Sequence, residues 1–127
     1  YSCYPPFHSH SSSVFVFGYL LRAGNNAYIF PGIGLGVLTA GLTRITNHDM
    51  LIAARSLASQ VTDKELEVGC VYPPLTIIRE VAARIAAAIA ENAHDTGKAT
   101  KPRPTDMLTY VKSLMYDPFD DPFQAHE

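Results

Sequence analysis

Pro73-Pro74 followed by Ile77, Val81, Ile85 and Ile89 at intervals of four constrains this chain more than any other feature. Apolar residues recurring at i, i+4 line one face of an α-helix. Ile78, Ala82 and Ala86 widen that line into the broad stripe a core-facing helix carries. Prolines suit the approach to a helix but not its interior, and Gly97 supplies a stop signal. Glu80 and Arg84 form an acidic-then-basic i, i+4 pair that adds about 0.2–0.5 kcal/mol. Such a helix has to cover its stripe.

The surrounding segments also read as helical. From Pro31 onward, Gly32, Gly36 and Ala40 recur at i, i+4 beside Leu35, Leu38 and Leu42. A stripe of small residues lets another backbone approach closely, while each glycine costs about 0.8–1.0 kcal/mol relative to alanine. This helix therefore depends on tertiary packing. Asn47 is the expected N-cap of a second helix, with Asp49 in its first turn. The apolar positions of that helix are Leu51, Ile52, Leu57, Ala58 and Val61. After a Lys- and Pro-containing loop at 98–104, read as solvated, Thr105 is the expected cap of a last helix bearing Leu108, Val111, Leu114 and Met115. Val14-Phe15-Val16-Phe17 is β-branched and aromatic, the one short strand expected. The fold class expected for this chain is mainly α.

The 127 residues leave room for one domain. A net charge of -2 gives no field for nucleic acid, and no basic stripe is visible. The apolar run 14–21 is far short of the ~20 residues that span a bilayer, so neither nucleic acid nor membrane is expected as a partner. No basic region precedes that run, as a secretory signal would require. Cys3 and Cys70 are the only cysteines and do not constitute a disulfide framework, so a reducing compartment is the default.

Chemistry concentrates in Gly24-Asn25-Asn26-Ala27-Tyr28-Ile29-Phe30-Pro31-Gly32. Each carboxamide offers two N–H donors and an oxygen acceptor, and two side by side can hold a small polyanion and a cofactor amide together. Gly-Asn and Asn-Asn are also ordinary turn dipeptides. Gly32, Gly34 and Gly36 do not make a dinucleotide fingerprint. The third glycine arrives one position early, Pro31 precedes the run, and packing explains the glycines better. His8 with His10, and His48 with Asp49, lack a four-ligand pattern, and Cys70 lacks a His-Asn constellation. No catalytic residue and no metal ligand is therefore assigned.

The Gly24–Gly32 run resembles the malate-site loop of the malic enzymes, and the likeness continues in register. The segments 59–67, Gly69-Cys70-Val71-Tyr72-Pro73-Pro74-Leu75, Ile78-Arg79-Glu80-Val81 and Tyr110-Val111-Lys112-Ser113-Leu114-Met115-Tyr116 resemble successive segments of that family. The likeness covers Ala23 to about Tyr116. It implies the C-terminal helical portion of an α/β Rossmann-like NAD(P)-binding domain, with the parallel sheet largely outside this chain. Residues 1–22 stand as an unmatched leader and 117–127 as an acidic tail. Cys70 stands where the family usually has Arg, which removes any ion pair made there.

The resemblance further implies oxidative decarboxylation of L-malate to pyruvate and CO2, with NAD or NADP and Mg2+ or Mn2+ in the full-length enzyme. It assigns Asn25 and Asn26 to substrate and nicotinamide contacts. The family's metal-binding carboxylates, its acid–base pair and its nucleotide fingerprint belong to sequence upstream of this segment. The chain, which begins at Tyr1, is thus read as a fragment, inactive alone and binding no cofactor tightly. A homo-oligomer, a tetramer, is implied for the full-length enzyme, in the cytoplasm or a mitochondrion. The competing reading is a non-catalytic helical interaction module whose binding element is the tandem Asp117-Pro118-Phe119 and Asp121-Pro122-Phe123.

Overall fold

The structure is a computed structural model, and it describes residues 26–67 and 69–116. The proposed strand at 14–17, the His8–His10 pair, Cys3 and the Asp-Pro-Phe tail all lie outside these residues. The described residues contain helices and no strand: α1 (Phe30–Ala40), α2 (Asn47–Ala58), α3 (Asp63–Glu67), α4 (Ile78–Asp95) and α5 (Met107–Ser113). Short 3-10 turns at Asn26–Tyr28 and Leu75–Ile77 lead into α1 and α4.

α4 is the central element, and α1, α2 and α5 pack on it. Its predicted stripe is the core: Val81, Ile85 and Ala86 are fully buried and Ile89 nearly so. Ile77, the first residue of the expected stripe, is instead 43% exposed. It closes a 3-10 turn with three residues per turn, so it falls out of phase with the helix that follows. Gly97 ends the helix as expected. It takes a left-handed φ of 67°, while its N–H bonds the His94 carbonyl at 3.2 Å and the Lys98 N–H bonds that of Ala93 at 2.8 Å. These two bonds make a Schellman cap that satisfies the last carbonyls of the helix.

α1 lies against α4 through its small stripe. A methyl group built on Gly32 would stand 2.7 Å from Ile85 Cβ and 2.9 Å from the Ala82 carbonyl oxygen. On Gly36 it would stand 3.0 Å from Ile89 Cβ and 3.1 Å from the Ala86 oxygen. The two glycines thus set how closely the helices approach, and the expectation of close backbone contact holds. Gly34 meets nothing within 4 Å and lies on the opposite face.

The loop after α4 is not simply solvated. The N–H groups of Thr100 and Lys101 both bond the Ala40 carbonyl, and Lys101 Nζ bonds that of Leu38 at 2.6 Å. This loop closes the C-terminus of α1, where a cation is favoured by the helix dipole. Arg103 in turn pairs with Asp95 at 2.7 Å.

In α2 the cap and the inward face both differ from expectation. Thr46, not Asn47, is the N-cap, and it forms a capping box with Asp49. The buried stripe is Asp49, Ala53 and Leu57, whereas Leu51 is 45% exposed. A polar residue at its head hid this stripe from a hydrophobic reading. α5 begins one residue later than expected, capped by Asp106, whose carboxylate accepts from Thr109 N–H at 3.1 Å. Met107 and Val111 bury against the core, and Leu114 lies beyond the helix and is exposed.

Candidate functional site

Of the two candidate site residues, Asn25 lies outside the described residues and Asn26 opens the 3-10 turn ahead of α1. Asn26 is exposed, and its carbonyl accepts from Ile29 N–H at 3.1 Å. A cleft of about 510 Å3 is lined by Ser56, Ser59, Gln60, Ile77, Glu80 and Arg84, and Asn26 is not among its lining residues. The carboxamide therefore stands at an open edge of the described bundle, immediately before α1. No side chain caps that helix, and Pro31 sits in its first turn. The positive end of the α1 dipole lies in the same place.

Two anchors follow Asn26 within one turn of chain. The hydroxyl of Tyr28 donates to the carbonyl of Pro73 at 2.9 Å. The Tyr28 ring stacks on Tyr72, with centroids 5.1 Å apart and planes at 23°. Tyr28, Ile29 and Tyr72 pack on the core cluster, and Gly32 then meets α4 at Ile85. The described part of the first run, 26–32, and the run 69–75, separate in sequence, are thus joined in space. The sequence alone does not connect them. A tyrosine in each run was the only signal available.

The charged groups of the described residues serve the framework. Burial acts to raise the Asp49 carboxyl, but its hydrogen bonds with Thr46 and the nearby charges of Lys98 and His48 outweigh it and hold it below its ordinary value. Its partners are Thr46 N–H at 2.8 Å, the Thr46 hydroxyl at 2.7 Å and Asn92 Nδ2 at 3.2 Å. Glu80 is held low chiefly by Lys112, with Arg84 adding to the effect against burial. Its carboxylate is 2.7 Å from Lys112 Nζ and 3.0 Å from Arg84 Nε. The pair expected within α4 is therefore one arm of a bridge to α5.

No group of three or more His, Cys, Asp or Glu converges among the described residues. His48 is exposed and its neighbour Asp49 is committed to the cap. The described side chains thus offer no donor set for the divalent cation that the resemblance implies. Among them, no helix is long and apolar enough to cross a membrane.

Residues 16–94 match the family described as "Malic enzyme, NAD binding domain". The match begins ahead of Ala23, where the resemblance was read to start. The chain is 47% identical over 95 residues to the chloroplastic NADP-dependent malic enzyme of Oryza sativa subsp. japonica, and 45% identical over 95 residues to that of Zea mays. In both cases the alignment covers 74% of this chain and 15% of the relative. NADP-dependent malic enzyme 2 of Arabidopsis thaliana is 43% identical over 101 residues, covering 79% of this chain and 17% of that protein. The chain therefore spans roughly a sixth of the length of these relatives. With the family pattern covering more than half of its residues, the chain belongs to the malic enzymes, as a segment of their NAD-binding domain.

Proposed function

We propose that this segment works within a full-length enzyme that converts L-malate and oxidised NAD(P) to pyruvate, CO2 and reduced NAD(P). Asn25 and Asn26 form one wall of the site. The observation that carries this reading is the Gly24–Gly32 run, which lies inside the matched span and whose last three residues open α1.

The chemistry open to the pair is orientation. A carboxamide has no proton to exchange near neutral pH but can donate and accept at once. Bonds to a malate carboxylate and to its hydroxyl would aim the C2–H bond at the nicotinamide ring, which lowers the barrier by holding the reactants in an attacking geometry. The adjacent helix N-terminus favours the dianion. The relatives named above are NADP-dependent, which supports NADP as the cofactor of the parent enzyme. A Mg2+ or Mn2+ ion, a tetrameric assembly and the compartment are properties of the parent enzyme rather than of this segment. No described residue supports the interaction-module reading, whose Asp-Pro-Phe elements lie outside them.

Two assays test the proposal. The purified 127-residue chain should form no NAD(P)H from malate, whereas the full-length enzyme carrying it should. In the latter, Asn26→Ala should lower kcat/KM for malate at least about ten-fold, the scale expected from lost orientation. Malate oxidation by the chain alone, or an unaltered kcat/KM in the variant, overturns it.

A further inference from the structure

We infer that Tyr28 and Tyr72 act as a positioning clamp that holds the Asn26 carboxamide in register with α4, an inference that rests on Asn26 being part of a malate-site wall. Asn26, Ala27 and Tyr28 form one 3-10 turn, a short and stiff unit. Whatever fixes Tyr28 therefore fixes Asn26 two residues away. Tyr28 is fixed at both ends of its side chain: the ring by the Tyr72 stack and the hydroxyl by the Pro73 carbonyl.

The receiving surface is rigid. Pro73 is buried, and the pyrrolidine rings of Pro73 and Pro74 lock two successive φ angles. A residue before proline is also restricted to extended conformations, so the Pro73 carbonyl has little freedom to turn away. Pro74 then opens the 3-10 turn that starts α4. Tyr28 thus refers the carboxamide turn to the segment that leads into α4, and Gly32 refers α1 to that helix about two turns in, at Ile85. One contact just ahead of α4 and one on it leave the intervening segment little room to pivot.

A hydrogen bond to a backbone carbonyl 45 residues away is a demanding arrangement if the only purpose is to fill space. A phenylalanine would pack there equally well. The hydroxyl contributes direction, which a site wall working by orientation requires. Loosening it should affect the geometry of hydride transfer before it affects folding.

The experiment uses the full-length enzyme carrying this segment, with Tyr28→Phe, Tyr72→Leu, Tyr72→Phe and Asn26→Ala. KM for malate, kcat and the isotope effect with malate deuterated at C2 are measured for each. Tyr28→Phe and Tyr72→Leu should raise KM for malate and lower kcat/KM about ten-fold, well within what a displacement of the order of 1 Å produces. The isotope effect should rise, because hydride transfer becomes more rate-limiting. Tyr72→Phe, which keeps the stacked ring, should recover most of what Tyr72→Leu loses. A purely structural role would reduce the active fraction, lowering kcat with KM and isotope effect unmoved, and that result in both Tyr28→Phe and Tyr72→Leu overturns the clamp. If Asn26→Ala moves KM and the isotope effect while the tyrosine variants do not, the clamp alone fails. If Asn26→Ala moves neither, the reading of the carboxamide wall fails.

Discussion

At the residue scale, Asp49 shows how a polar side chain becomes part of a core. It is 1% exposed, yet each of its oxygens has a partner, in Thr46 or in Asn92. It caps its own helix and ties α2 to α4 at once. Asp49→Ala should cost about 1–3 kcal/mol, because it removes the reciprocal half of the capping box and leaves the Asn92 amide short of an acceptor. Thermal unfolding followed by circular dichroism measures this. The pH dependence has a definite sign. The folded carboxyl is depressed below its ordinary value of 3.8, so its contribution is present above that value and is lost as the pH falls through the folded pKa. Glu80, also depressed, acts in the same direction. In Asp49→Asn, the loss of stability as the pH falls below about 4 should be shallower than in the parent chain. Equal slopes would remove Asp49 as a source of acid sensitivity.

At the element scale, the glycines of α1 divide by face, and substitution should separate them by sign. Gly34 has open space around its Cα, so Gly34→Ala gains helix propensity at no steric cost and should stabilise by about 0.8–1.0 kcal/mol. Gly32→Ala makes the same local gain but drives a methyl to 2.9 Å from a backbone oxygen of α4, which cannot rotate aside. Overpacking of this kind typically costs about 1–3 kcal/mol, so the net effect should be destabilising. Chemical denaturation of the two variants should place their midpoints on opposite sides of the parent. Midpoints shifted the same way would mean that α1 and α4 do not approach as closely as described.

At the scale of the whole molecule, the described bundle leaves large apolar side chains of α1 exposed. α1 carries a single polar residue, Thr39, and that hydroxyl bonds back to the Leu35 carbonyl at 2.8 Å. Its outward face leaves Phe30 53% and Leu38 65% exposed. A helix apolar on all sides belongs inside a larger body, which suits a segment that spans roughly a sixth of its relatives' length. The chain alone should therefore self-associate as its concentration rises, and Leu38→Lys should oppose this. Sedimentation velocity across a concentration series reads both. A parent chain that stays monomeric throughout would show that the α1 face is tolerated in water.

The amino-acid sequence determined the helices, because periodicity and terminal signals are local. The α4 stripe, the Gly97 stop, the Glu80–Arg84 pair and the small stripe of α1 were all legible. It also carried the family, since the motifs lie in register along the chain. Tertiary structure decided what depends on distant partners. Asp49 turns inward because Asn92 awaits it, Ile77 turns outward because a 3-10 turn shifts its phase, and the 98–104 loop closes α1 because Lys101 reaches Leu38. The joining of Tyr28 to Tyr72 and Pro73 belongs with these. Local sequence dictates which backbone conformations are cheap, while the direction a side chain faces is settled only when another element arrives to satisfy it.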